Sequence, residues 1–138
     1  MSTRAEVIAD TGLKGLAACH ALSDATDEWL RGVFATAVDG EKKADRIALI
    51  AVGGYGRREL APFSDLDVLL VHDGVKNIGD IASKIWYPVW DAGLKLGHSV
   101  RTPKETMQMC TTDLDTATAL VTARRLAGSE SQIGRAHV

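Results

Sequence analysis

The sequence predicts an α+β fold in which a small mixed β-sheet is covered by flanking helices. Short apolar runs bounded by glycine or polar residues indicate strands at residues 46–52, Leu66–His72 and residues 94–102. Apolar residues that recur at three- and four-residue intervals indicate helices before and between these runs. The expected order of elements is therefore α, β, β, α, β, α.

The helices are expected from their apolar periodicity and their end signals. The first covers about residues 12–38, and its apolar stripe is formed by Trp29, Leu30, Val33, Phe34 and Ala37. The second begins at Ile78, and Pro88 is expected to kink it or to end its first half. The third is expected to begin at an N-cap pattern after Thr112 and to end near Gly128.

We divide the chain into three parts. Residues 1–45 form an N-terminal helical segment, and residues 46–128 form the core that carries the motifs described below. Residues 129–138 have no apolar periodicity, and residues 132–138 match one reading frame of a widely used sequencing adapter. We therefore expect a non-native tail, the alternative being a genuine unstructured C-terminus.

The bulk composition restricts the class of protein. An apolar content of 46% over 138 residues is enough for one hydrophobic core. A net charge of −2 gives no indication of a polybasic surface for nucleic acid or membrane, and no apolar stretch approaches the roughly 20 residues of a membrane span. Cys19 and Cys110 form no paired motif, so a reducing cytoplasm is the expected location.

Two carboxylates, Asp65 and Asp67, stand at the head of the second predicted strand. Residues i and i+2 of a strand point to the same face, so these side chains are expected to lie together. Adjacent negative charges repel each other unless a cation offsets them, and Mg²⁺ commonly binds one or two carboxylates plus substrate phosphates. We predict Asp65 and Asp67 as metal ligands and Mg²⁺ as the cofactor.

A glycine turn precedes the acidic pair by a ten-residue spacer. Gly53 and Gly54 would let backbone N–H groups approach a phosphate closely. Arg57 and Arg58 could meet the same phosphate, or they could be solvated loop charges. No Lys-Ser or Lys-Thr follows the glycines, which argues against a P-loop, and no third small residue opens a helix as in a dinucleotide fingerprint.

These motifs resemble the signature of the DNA polymerase β-type nucleotidyltransferase superfamily, with its Gly-Gly turn, spacer and Asp-x-Asp strand. Within that superfamily, four blocks resemble the bifunctional PII uridylyltransferase/uridylyl-removing enzymes: residues 53–60, 64–67, 96–102 and 113–128. Residues 85–91 are similar to the actinobacterial branch. The resemblance covers roughly residues 46–128 and implies a polymerase β-like nucleotidyltransferase core.

The resemblance implies transfer of a uridylyl group from UTP to a tyrosine hydroxyl of the PII signal protein, with release of pyrophosphate. Asp65 and Asp67 would be the catalytic pair that holds Mg²⁺. Ser64 would contact a phosphate or cap the turn. The nucleotide-binding residues implied by the resemblance are Gly53, Gly54, Arg57 and Ser64.

The sequence departs from the family pattern in lacking a third carboxylate on the third strand. The face expected to lie beside the acidic pair carries Gly97, Ser99 and Arg101, and His98 on the other face is expected to be a core or supporting histidine. The alternatives left open are adenylylation from ATP and a non-catalytic nucleotide-binding or interaction module. Full-length family members add further domains, so we expect the 138-residue chain alone to show little or no transfer.

Overall fold

A computed structural model of the chain describes residues 3–9 and 15–129. Within that part of the chain the elements follow in the order α1 (Arg4–Ala9), α2 (Gly15–Ala37), β1 (Ile47–Ala51), α3 (Gly53–Gly56), β2 (Leu66–His72), α4 (Ile78–Asp91), β3 (Leu96–Arg101), α5 (Pro103–Thr112), α6 (Leu114–Val121) and β4 (Arg124–Gly128). A 3-10 turn, Ala44–Arg46, leads into β1. Residues 130–138, which make up nearly all of the expected tail, lie outside the described residues.

The four strands form one mixed sheet in the order β3-β2-β1-β4. Strand β1 pairs antiparallel with both β2 and β4, whereas β2 and β3 run parallel. The predicted fold class, α+β with a small mixed sheet and flanking helices, is confirmed. Strand β2 therefore lies in the interior of the sheet, with the end of β1 on one side of it and β3 on the other.

The two faces of the sheet are buried by different helices. Helices α2 and α4 cover the face that carries Leu49 and Leu70, and this face forms the larger core. Leu120 of α6 packs on the opposite face against Ile50 and Val71. All five residues of β1 are buried. Burial on both faces explains why this strand reads as a continuous apolar run and not as an alternating one.

Helix α2 agrees with the predicted first helix where the chain is described, since it covers Gly15–Ala37. The apolar stripe faces the core: Leu30, Phe34 and Ala37 are buried. Residues 10–14, which the prediction partly included, lie outside the described residues. No helix of the described part is long and apolar enough to cross a membrane.

Pro88 does not end the second predicted helix, so that alternative is wrong, and the alternative of a kink stays a prediction. Helix α4 continues to Asp91, and the Ala92 N–H donates to the Pro88 carbonyl at 3.1 Å. Proline lacks the N–H that would donate to the carbonyl four residues earlier, but its own carbonyl still accepts. Its position near the end of the helix leaves one further turn, which is held by the packing of Val89 in the core.

The helix predicted after Thr112 begins as expected, at Leu114, but it ends at Val121 and not near Gly128. A separate helix, α5, ends at Thr112. It begins at a capping box, in which the Thr102 hydroxyl accepts from the Glu105 N–H at 3.2 Å and the Glu105 carboxylate accepts from the Thr102 N–H at 3.0 Å. Helix α6 is short, and the last predicted helical turns are instead strand β4. Pairing with β1 decides this outcome, because it satisfies the backbone groups of Arg124–Gly128 and buries Leu126.

Candidate functional site

The predicted acidic pair lies at the N-terminal end of β2. Asp67 is the second residue of β2 and is half-buried, and Asp65 is exposed immediately before the strand. Burial, followed by the negative charge of Asp65, raises the pKa of the Asp67 carboxyl above its ordinary value. The structure thus brings the two carboxylates close enough to repel each other.

The carboxylate of Asp67 lies in a cradle formed by two glycines, Gly53 and Gly97. The register of β2 and β3 places Gly97 directly opposite Asp67, and a Cβ atom added to Gly97 would collide with Asp67 Oδ1. A Cβ atom added to Gly53 would lie 3.2 Å from Asp67 Oδ2. The orientation of this carboxylate therefore depends on the absence of two side chains, one on β3 and one on the turn that follows β1.

The predicted loop after β1 begins with a single helical turn, α3. Gly53 has a φ of +59°, a conformation that L side chains rarely adopt. The Val52 N–H donates to the Asp67 carbonyl at 3.0 Å, which fixes the start of the turn beside the acidic pair. At the end of the turn, a Cβ atom on Gly56 would lie 2.7 Å from the Thr122 carbonyl oxygen. The turn is thus held closely at both ends.

The two arginines of the loop have different surroundings. Arg57 is exposed, pairs with Glu59 at 3.2 Å, and has its guanidinium beside Gly54. Arg58 forks onto both carboxylate oxygens of Asp24 in α2, at 2.6 and 2.7 Å. The Arg58 guanidinium is therefore held by an ion pair with α2 and is not a free loop charge. Arg57 stays a candidate for nucleotide binding because it lies at the glycine turn.

Ser64 caps its own turn in the structure. Its hydroxyl accepts a hydrogen bond from the Ala61 N–H at 3.1 Å, and the Ser64 N–H donates to the Ala61 carbonyl at 3.1 Å. This arrangement is one of the two roles expected for Ser64 and closes the loop just before Asp65. The predicted phosphate contact of Ser64 stays a prediction.

A cleft of about 220 Å³ opens on the face of the sheet that carries Asp67. Gly97, Ser99 and Arg101 line it from β3, in the alternation that the sequence predicts. The Arg101 Nε lies 3.0 Å from Met109 Sδ, and its Nη1 donates to the Val100 carbonyl at 3.2 Å. Sequence reasoning assigned no role to Ser99 or Arg101, although their spacing from Gly97 was the available signal.

His98 is not a core residue, so that alternative of the expectation is wrong, and its supporting role stays a prediction. It is exposed, and its ring lies 4.9 Å from that of Trp86 and 5.6 Å from that of Trp90. The reason is the position of β3 at the edge of the sheet, where a side chain on the α4 side packs on helix aromatics yet keeps one side in solvent.

Comparison with known proteins places this geometry in a family. Residues 2–91 match the family described as "Putative nucleotidyltransferase DUF294". The chain belongs to this family. The match covers the first strand, the glycine turn, the acidic pair and helix α4, so the predicted membership of a nucleotidyltransferase family is confirmed.

Several curated relatives carry the name bifunctional uridylyltransferase/uridylyl-removing enzyme. The Streptomyces coelicolor protein is 49% identical over 111 residues, covering 79% of this chain and 13% of the relative. A Mycobacterium tuberculosis protein is 46% identical over 93 residues, covering 66% of the chain and 12% of the relative. The Phenylobacterium zucineum protein is 35% identical over 133 residues, covering 91% and 14%. The chain thus spans about one eighth of the length of these relatives.

The candidate ligands for a small divalent cation are Asp65 and Asp67. Among residues 3–9 and 15–129, no cluster of three or more His, Cys, Asp or Glu side chains is placed to hold a metal. Mg²⁺ keeps several waters and takes phosphate oxygens, so one or two carboxylates are compatible with it. Burial and then the charge of Asp65 disfavour the ionised form of Asp67 and raise its pKa, and a bound cation would offset that cost.

We expect Asp67→Asn to stabilise the metal-free protein near neutral pH. Because the folded-state pKa of Asp67 is raised, ionisation of the carboxyl disfavours the folded state, and this penalty is complete at pH values above the folded pKa. The amide carries no charge, so the free energy of unfolding should rise, by about 1 kcal/mol or less because solvent screens a half-buried group. Urea unfolding at pH 7 with a chelator measures this change in the free energy of unfolding. Asp39→Asn, at an exposed turn, is the control, and no rise specific to Asp67→Asn would contradict the expectation.

Proposed function

We propose that this domain transfers a uridylyl group from UTP to a tyrosine of a PII-type signal protein and releases pyrophosphate. The observation that carries the proposal is the Asp67 carboxylate, cradled by Gly53 and Gly97 beside Asp65. The uridylyltransferase name of the relatives supports the nucleotide, and the resemblance of the sequence blocks supports the acceptor. As part of the same proposal, the protein acts in the cytoplasm and needs neither nucleic acid nor membrane.

The residues of the site have distinct roles in this reaction. Asp65 and Asp67 would hold Mg²⁺, which when bound neutralises phosphate charge and polarises the α-phosphate. The backbone of Gly53 and Gly54 approaches the triphosphate, and Arg57 beside Gly54 offsets its negative charge. The tyrosine oxygen forms a bond to the α-phosphorus, the bond to the β-phosphate oxygen breaks, and pyrophosphate leaves. The tyrosine proton passes to solvent.

Metal-dependent nucleotide binding is the first test of the proposal. Mn²⁺ binding is followed by electron paramagnetic resonance, and UTP and ATP binding by equilibrium dialysis with and without Mg²⁺. The native chain is expected to bind nucleotide only with the metal, and Asp65→Asn or Asp67→Asn is expected to weaken Mn²⁺ binding about tenfold or more. Asp39→Asn serves again as the control. Equal Mn²⁺ affinity in native and variant chains would contradict the assignment of Asp65 and Asp67 as metal ligands.

Transfer itself is tested in a chimera in which this chain replaces the matching segment of the Streptomyces coelicolor relative. Label from UTP is expected on the PII protein, and its loss in Asp67→Asn confirms the site. Label from ATP alone would assign an adenylyltransferase. Nucleotide binding without any transfer would assign a non-catalytic module, which the small number of acidic ligands in the described residues favours. The 138-residue chain by itself is expected to transfer little or nothing.

A further inference from the structure

Arg124, the first residue of β4, contacts both the glycine turn and helix α2. Its Nη2 donates to the Tyr55 carbonyl at 3.0 Å, and its Nε donates to the Gly56 carbonyl at 3.4 Å. Its Nη1 and Nη2 also donate to the two carboxylate oxygens of Asp27, at 2.5 and 3.2 Å. One guanidinium thus joins the last two carbonyls of α3 to a carboxylate on a helix far away in the sequence.

The surroundings of Arg124 make this contact specific. Asp27 is only 4% exposed, so its charge needs a positive partner, and Arg124 is the nearest one. The guanidinium also lies 5.4 Å from the centre of the Tyr55 ring. Burial and then the charge of Asp27 raise the pKa of Tyr55 above its ordinary value, so its hydroxyl stays neutral.

We propose that Arg124 is a positioning residue for nucleotide binding, and this inference rests on the proposed function. By holding the carbonyls of Tyr55 and Gly56, Arg124 fixes one end of the turn whose other end, at Val52, is tied to the Asp67 carbonyl. The backbone of Gly53 and Gly54 is thereby set relative to the acidic pair. Asp27 orients the guanidinium, so helix α2 supports the nucleotide site.

A second arginine of the same region provides a matched comparison. Arg58 follows the glycine turn and forks onto Asp24 of α2, but both side chains are about 40% exposed, and the hydrogen bonds of the Arg58 guanidinium go to Asp24. Arg58 contacts the turn through its backbone N–H, which donates to the Tyr55 carbonyl at 3.0 Å and which lysine would keep. The two pairs have the same chemistry and join the same helix. They differ in burial and in the contact of the guanidinium with the carbonyls of Tyr55 and Gly56.

The test compares Arg124→Lys with Arg58→Lys. Lysine keeps the positive charge but cannot span two carbonyls and a carboxylate, so the glycine turn loses its defined position. For Arg124→Lys, the affinity for UTP in the presence of Mg²⁺ is expected to fall about tenfold, as for the loss of a hydrogen bond to a charged group. Mn²⁺ affinity at Asp65 and Asp67 should stay within about twofold of native. Arg58→Lys should change neither affinity.

The remaining outcomes decide against the proposal. A lowered melting temperature with unchanged UTP affinity of the folded protein would show that Arg124 is only structural. Loss of Mn²⁺ affinity in parallel with UTP affinity would show that it acts through Asp67. Absence of UTP binding by the native chain would instead overturn the proposed function. If Arg124→Lys does not fold, Asp27→Asn, which keeps the guanidinium and removes its charged partner, takes its place with the same expected results.

Discussion

Gly97→Ala is expected to weaken metal binding at the acidic pair strongly while the protein stays folded. The added Cβ would collide with Asp67 Oδ1. The strand can still form, because the colliding atom belongs to a side chain that can rotate away and not to the backbone. The displaced carboxylate no longer faces the cation beside Asp65. Mn²⁺ affinity should fall roughly ten- to hundredfold. Stability should change little, because alanine is preferred to glycine in a strand interior by about 0.5–1 kcal/mol.

The measurements are Mn²⁺ titration and urea unfolding of the same samples. Gly79→Ala is the matched control, because a Cβ at this exposed position of α4 meets no atom within 4 Å. It should leave metal affinity unchanged and stabilise the helix slightly. Native Mn²⁺ affinity in Gly97→Ala would show that the cradle does not orient Asp67. Unfolding of Gly97→Ala must remain cooperative, because a loss of cooperativity would mean that β3 itself no longer forms.

The parts of the fold that were predictable are those whose signal is local. Strand β1 is an apolar run because it is buried on both faces, and the glycines that follow it end the run. Strand β2 was predicted with its observed bounds, because its apolar residues begin directly after the acidic pair. The stripe of α2 was readable because one helix face carries most of its core contacts.

Strand β4 was missed because its partner is distant in sequence. Arg124–Gly128 carries two arginines and only one fully buried residue, Leu126, so no alternation marks it as a strand. Its identity depends on the free edge of β1, which is about 75 residues earlier and which no local pattern reveals. Helix α5 was not predicted, although Pro103 stands in its first turn, where proline is favoured.

In the candidate site, too, the features with a local signal were predictable and those that depend on tertiary packing were not. The pairing of Asp65 with Asp67 follows from the two-residue period of a strand, and the charge of Asp65 adds to the effect of burial in raising the pKa of Asp67. The cradle at Gly97 depends on the register between β2 and β3, which the sequence leaves open. Likewise, the separate environments of the two loop arginines depend on which residues of α2 face them, a property of tertiary packing.

Helix α2 carries two aspartates that pair with arginines, and we expect them to differ sharply in their contribution to stability. Asp27→Ala leaves Arg124, whose side chain is 24% exposed, without its carboxylate, and breaking a buried pair costs about 3 kcal/mol or more. Asp24→Ala leaves Arg58 at 40% exposure, where water replaces the lost partner, and the cost should be about 1 kcal/mol or less. The same substitution, three residues apart on one helix, thus compares a buried ion pair with an exposed one.

Urea unfolding of both variants at pH 7 measures the difference, and the unfolding slope checks that the native state is equally compact. The double variant Asp27→Ala with Arg124→Met should recover part of the lost stability, because it removes the unpaired charge as well as its partner. Equal destabilisation by the two single variants would show that the Asp27 pair is no better shielded than the Asp24 pair. The support of the glycine turn would then have to come from packing of Tyr55 in the core, which is 1% exposed, and not from the ion pair.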